Sequence, residues 1–135
     1  MHDLELVNLA DESLLPCQVT TQTDGDTYEL RLNRANASPI RVHSSIDFED
    51  TLRQLRAELE QQNLLLLCNR YRRDAFVSSM SRQMSEGLSC YVVVAGEPVS
   101  PELLVESLGP APRSDVVSAE EASKFIDEWI ASFDD

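Results

Sequence analysis

Hydrophobic positions along this chain follow two periods in turn, and the points where the period changes mark the expected elements. Residues 18–23 are rich in valine and threonine, and Asp24, Gly25 and Asp26 carry a turn signal. Tyr28, Leu30 and Leu32 then alternate with Glu29, Arg31 and Asn33, the period-2 pattern of a half-buried strand. A second polar turn over residues 33–38 leads to Ile40, Arg41, Val42 and His43, which alternate again. Residues 17–44 are therefore expected to form a β-meander. From Asp47, a helix N-cap, the period becomes helical as far as Gln62, with Phe48, Leu52, Leu55 and Leu59 on one face and Arg53, Arg56, Glu58 and Glu60 elsewhere on the surface. The unbroken apolar run of residues 64–68 predicts a central strand buried on both faces.

The second half repeats this grammar in shorter pieces. Phe76 and Val77 precede Ser78 and Ser79, an N-cap for a short helix bearing Met80, Arg82, Gln83 and Met84, which Gly87 would stop. Met80 and Met84 lie one turn apart, so their shared side is expected to face the core. Residues 88–95 predict another buried strand, ended by Gly96, Glu97 and Pro98. Pro98, Pro101, Pro110 and Pro112 make residues 98–115 a loop with one turn of helix at 102–106. Ser118 and Glu121 are spaced as a capping box. After them Ala122, Phe125, Ile126, Trp129, Ile130 and Phe133 form one apolar stripe, expected to dock on the sheet, with Asp134 and Asp135 just beyond it. The fold class predicted is α+β over residues 1–135 as one domain. An antiparallel sheet would carry a central amphipathic helix and a C-terminal helix packed on it.

Charge changes the picture more than composition does. The 135 residues hold 11 basic against 24 acidic side chains, a formal charge of −13. Residues 97–135 alone contain ten carboxylates against Arg113 and Lys124, a balance of −8. Such a surface repels nucleic-acid phosphate and anionic lipid and draws in a basic protein. Against this background residues 70–87 form a positive island. Arg70, Arg72, Arg73 and Arg82 stand there against Asp74 and Glu86, a balance of +2. Clustered guanidinium groups repel one another unless carboxylates or a partner answer them. The island admits three readings: pairing with the chain's own carboxylates, contact with an acidic patch on a partner, or nucleic-acid binding. The net charge opposes the third.

Catalytic and metal chemistry find little to use. Cys17, Cys68 and Cys90 are odd in number and lack paired spacing, so they predict reduced thiols, with Cys68 and Cys90 in the core. His2, in a terminus expected to be mobile, and His43, near a strand end, are the two histidines. Neither has a second histidine nearby in sequence. Ser78, Ser79, Ser81 and Ser85 lie near arginines without an evident base, and suit caps and hydrogen-bond donors. No metal, no cofactor and no enzymatic activity are expected. An anion site lined by Arg70, Arg73 and Arg82 is the one catalytic alternative. The N-terminus lacks a basic start and an apolar signal core, and no apolar stretch approaches spanning length. A cytoplasmic protein is expected, with no membrane contact and with its oligomeric state open.

Cys68-Asn69, Arg72-Arg73-Asp74, the string Ser78-Ser79-Met80-Ser81-Arg82-Gln83-Met84, Gly87, Cys90-Tyr91 and Glu128-Trp129 occur in that order. Residues 65–133 thereby resemble a family of small bacterial proteins encoded near Rhs-type and other polymorphic toxins. The chain departs from that pattern at Glu86, where the family leads one to expect glycine. The resemblance implies an immunity-type protein that binds and neutralises a toxin domain made by the same cell. The acidic face of the C-terminal third, with Glu120, Glu121, Asp127 and Glu128, would meet a basic toxin. Tyr71, Arg70, Arg73 and Arg82 would serve as anchors, being residue types common at interface hot spots. The alternative of the same size and charge is a small acidic type III secretion chaperone, a dimer holding an effector segment.

Overall fold

A computed structural model describes residues 1–133. Five strands form the larger sheet: β1 (His2–Asn8), β2 (Leu14–Asp24), β3 (Thr27–Arg34), β4 (Ile40–Ser44) and β5 (Leu64–Leu66). Their order is β4-β3-β2-β1-β5, and every pairing is antiparallel. The meander thus extends one strand further toward the N-terminus than the sequence pattern suggested. His2 is not in a loose end but pairs with Val19 in β1. The β2–β3 turn is Gly25-Asp26, with Gly25 at φ +61°, a glycine-first hairpin that suits the right-handed twist of the strands.

Alternation sorts the sheet's two faces. Leu4, Leu6, Cys17, Val19, Leu30 and Leu32 point to one side and are buried. Helix α1 (Phe48–Gln61) covers that side with Leu52, Leu55 and Leu59, and these residues belong to one core cluster. Leu64, Leu65, Leu66, Leu67 and Cys68 are all buried, as expected. Yet β5 is an end strand of the sheet rather than a central one, because it pairs with β1 alone. Its burial comes from a later segment: Ala111 N–H donates to the Leu67 carbonyl at 3.2 Å, and Cys68 bridges to Pro110.

A second, three-stranded sheet lies in the C-terminal half: β6 (Ala75–Phe76), β7 (Ser89–Val92) and β8 (Leu104–Glu106), in the order β6-β7-β8. The helical turn expected at residues 102–106 is a 3-10 turn at Pro101–Leu103, and the residues after it form β8. Between β6 and β7 stands helix α2 (Ser79–Ser85), capped by Ser78, whose side chain accepts from the Ser81 amide. The α+β class, the central helix and the C-terminal helix α3 (Ala119–Ala131) stand as the sequence indicated. Helix α3 meets the smaller sheet, where Trp129 lies 5.2 Å from Phe76 between ring centroids. Of its apolar stripe only Ala122 and Trp129 are buried, while Ile130 and Phe133 stay 45% and 43% exposed. Asp134 and Asp135 lie outside the described residues.

Helix α2 turns the other way from expectation. Met80 and Met84 are 68% and 78% exposed, and the buried residue of this helix is Ser81. The end of α2 is pressed against the start of α1. A Cβ on Gly87, just past α2, would lie 2.3 Å from the Glu49 amide nitrogen of α1, and Gly87 sits at φ +89°. The Phe48 amide also donates to the Glu86 carbonyl at 2.8 Å. The position just past α2 therefore has room for glycine alone. Glu86 is in the left-handed region at φ 57°, a conformation glycine takes at no steric cost. That is the position at which the resemblance leads one to expect glycine.

Candidate partner-binding surface

The start of α1 answers the positive island. Asp47 caps α1 by accepting from the Asp50 amide at 2.9 Å, and the same carboxylate takes Arg82 in a two-pronged contact through Nε and Nη2. Two residues on, Glu49 is fully buried. Arg70 donates Nε to its Oε1 at 2.6 Å and Nη2 to its Oε2 at 2.8 Å, and Arg53 donates Nε to Oε2 at 2.6 Å. Burial alone would lower the pKa of Arg70, but the hydrogen bonds and charge of Glu49 carry it above the usual arginine value. Burial likewise opposes ionisation of Asp47, yet the bonds from Arg82 and the Asp50 amide hold its carboxyl below its ordinary range. Both carboxylates also stand at the positive end of the helix dipole.

The other two island arginines are answered nearby. Arg72 donates Nε to Asp74 at 2.9 Å and lies 3.4 Å from Asp115. Arg73 is more open, 46% exposed by side chain, and meets Glu121 of α3 at 3.7 Å. Tyr71 is buried and donates its hydroxyl to the Leu52 carbonyl at 2.5 Å, which makes it a core residue joining the island to α1. Burial pushes its phenol well above the ordinary value. Arg70, Arg73 and Arg82 therefore bind three separate carboxylates and do not converge on one anion site. The serines close a ladder of their own: Ser89 Oγ to Ser85 Oγ at 2.7 Å, and Ser85 Oγ to the Ser81 carbonyl at 2.6 Å.

Between α1 and α3 opens a cleft of about 410 Å³. Phe76, Val77, Ala122 and Ile126 supply apolar wall, while Arg53, Arg56, Arg70 and Asp127 bring charge to it. Helical spacing put Arg56 on the exposed surface of α1 with Arg53, Glu58 and Glu60, and the structure overturns that for Arg56. It is buried, donates Nη2 to the carbonyls of Val117 at 2.7 Å and Tyr71 at 3.2 Å, and places its guanidinium 4.9 Å from the Tyr71 ring centroid. Burial lowers its pKa. The only hint in the sequence is that position 56 neighbours Leu52, Leu55 and Leu59 on the helix, which places it at the edge of the buried face.

Of the expected acidic residues, Glu120, Glu121, Asp127 and Glu128 are all exposed on α3. Among the described residues only Glu121 of these four has a basic side chain within 4.0 Å. The three cysteines are free and buried. Burial raises Cys17 to about 11 and Cys68 to about 12, and pushes Cys90 up as well. No cluster of three His, Cys, Asp or Glu side chains among the described residues could hold a metal ion. No helix there is long and apolar enough to cross a membrane. Set against models of known protein families and against curated protein sequences, the chain matches none.

Proposed function

We propose that this protein is an immunity-type inhibitor, which binds a basic toxin domain through the acidic face of α3 and occludes it. One observation carries the proposal. The island's arginines are bonded to the chain's own carboxylates, whereas Glu120, Asp127 and Glu128 on α3 remain exposed and unanswered among the described residues. In a chain of net charge −13, that division leaves the negative potential at the surface. Such a field raises the association rate with an oppositely charged partner by about 10 to 10³-fold at low salt. An inhibitor acting this way performs no chemistry itself and works in the cytoplasm, where its toxin is made.

The test is isolation of the tagged protein from its host, identification of the partner, and expression of that partner alone and together with this chain. A partner that arrests growth alone and is neutralised on co-expression supports the reading. Reversing Glu120, Glu121, Asp127 and Glu128 to lysine should abolish that protection with the fold intact. Unchanged protection by the reversed variant sinks the acidic-face version. A second reading, a secretion chaperone, draws on the apolar wall of the α1–α3 cleft and the exposed Ile130 and Phe133. It requires a dimer holding an extended effector segment, which sedimentation of the purified complex distinguishes from a folded toxin partner.

A further inference from the structure

The larger sheet has a second face, opposite α1, with a pair of like charges toward its β4 edge. Leu30, Leu32, Val42 and Ile40 face α1, so the residues between them, Arg31 and Arg41, point the other way. The register sets Arg31 directly opposite Arg41, and Thr20 of β2 directly opposite Arg31. Like charges in such a pair destabilise a sheet. No ion pair relieves this one: among the described residues, neither arginine has a carboxylate within 4.0 Å. The carboxylates of this face stand in other rows, and Glu29 and Asp3 are engaged there. Glu29 lies 3.2 Å from His43 Nε2, and Asp3 accepts from Gln18 Nε2 at 3.3 Å. Glu5 sits farther off, opposite Pro16. Arg31 donates Nε only to the Asn33 amide oxygen at 3.1 Å, and Arg41 is exposed.

We propose that the Thr20–Arg31–Arg41 row is a recognition site for a carboxylate-bearing segment of a protein partner. Charge complementarity names the occupant. A carboxylate over two adjacent guanidinium groups takes paired hydrogen bonds and removes their repulsion, with the Thr20 hydroxyl as a further donor. A polyphosphate backbone would meet the same row but also the field of a chain at −13, which favours one or two carboxylates over a dense polyanion. This site rests on reading the chain as a partner-binding protein, but it lies on the far side of the sheet from α1. The acidic face of α3 is a separate surface.

The experiment uses the full chain labelled with ¹⁵N and follows the arginine Nε–Hε resonances. The probes are a blocked Asp-Gly-Asp-Gly peptide, its Asn-Gly-Asn-Gly twin and inorganic phosphate. The Asp peptide should shift Arg31 and Arg41 saturably, at least tenfold more tightly than the Asn twin, and Arg41→Gln should abolish the response. Free Arg41→Gln protein should also melt about 2 °C higher, because the like-charge pair is gone. Equal movement of the exposed Arg53 and Arg73, phosphate binding tighter than the Asp peptide, or no response at either arginine overturns the site. So does self-association of the free chain that Arg41→Gln disrupts, since the occupant would then be a second copy. These readouts need no toxin, so they stand or fall apart from the growth-protection test of α3.

Discussion

The start of α1 and the length of α3 are both rich in carboxylates, yet the fold treats them in opposite ways. Asp47 and Glu49 are buried and hold guanidinium groups from residues 82, 70 and 53. Glu120, Asp127 and Glu128 are exposed, with no basic partner among the described residues. A buried pair fixes the fold because removing one member strands the other in a poor solvent for charge. An exposed carboxylate costs little to leave alone, and its field extends about 8 Å into physiological salt. The same residue type thus serves cohesion in one place and recognition in the other, and burial decides which.

Substitutions can break this contrast, and the largest effect is expected at Glu49. Glu49→Gln leaves Arg70, only 14% exposed by side chain, without its carboxylate and should cost about 3 kcal/mol in urea denaturation. A loss under about 1 kcal/mol would show that the pair does not hold the fold. Next comes Asp47→Asn, which keeps a good helix cap but removes the charge facing Arg82, at about 1–2 kcal/mol. Its pH signature is specific. The Asp47 carboxyl is held below its ordinary value, so its stabilisation is present above about pH 4 and is lost as pH falls through the folded-state value. Wild type should therefore lose stability on acidification more steeply than Asp47→Asn, as read by melting temperature from pH 6 down to pH 2.

Reversal of the four α3 carboxylates to lysine should cost no more than about 1–2 kcal/mol, most of it from Glu120 and Glu121 in the first turn of the helix. Association with a basic partner should nevertheless slow by about tenfold or more at low salt. A large loss of stability would place α3's charges with the cohesive set. The smallest effect is expected for Met80→Lys with Met84→Lys, which exposure predicts to leave the urea midpoint within about 0.5 kcal/mol. A cost of several kcal/mol would mean that the methionines are buried in solution.

Residues whose role depends on near neighbours in sequence were legible. Asp47 and Ser78 cap the helices that follow them, Gly25 turns the β2–β3 hairpin, and Leu30 and Leu32 face the core on alternation alone. The first strand was also there to be seen, since Leu4 and Leu6 alternate with Asp3 and Glu5, but its terminal position masked it. Strand β8 left no comparable trace. Its three residues follow a proline and stay partly exposed, and they form a strand only because β7 lies alongside.

What the sequence determined by itself is the α+β class, the caps and turns, and the excess of negative charge, because each depends on local spacing or on simple count. Which arginine meets which carboxylate was left to the tertiary structure. Glu49 and Arg70 are 21 positions apart, Asp47 and Arg82 are 35 apart, and no short-range period connects them. The face α2 buries was settled the same way, with Ser81 inside and Met80 and Met84 outside. Arg31 and Arg41 became a pair only when strand register set them opposite each other. Periodicity places a side chain on a face, and only packing chooses its neighbour.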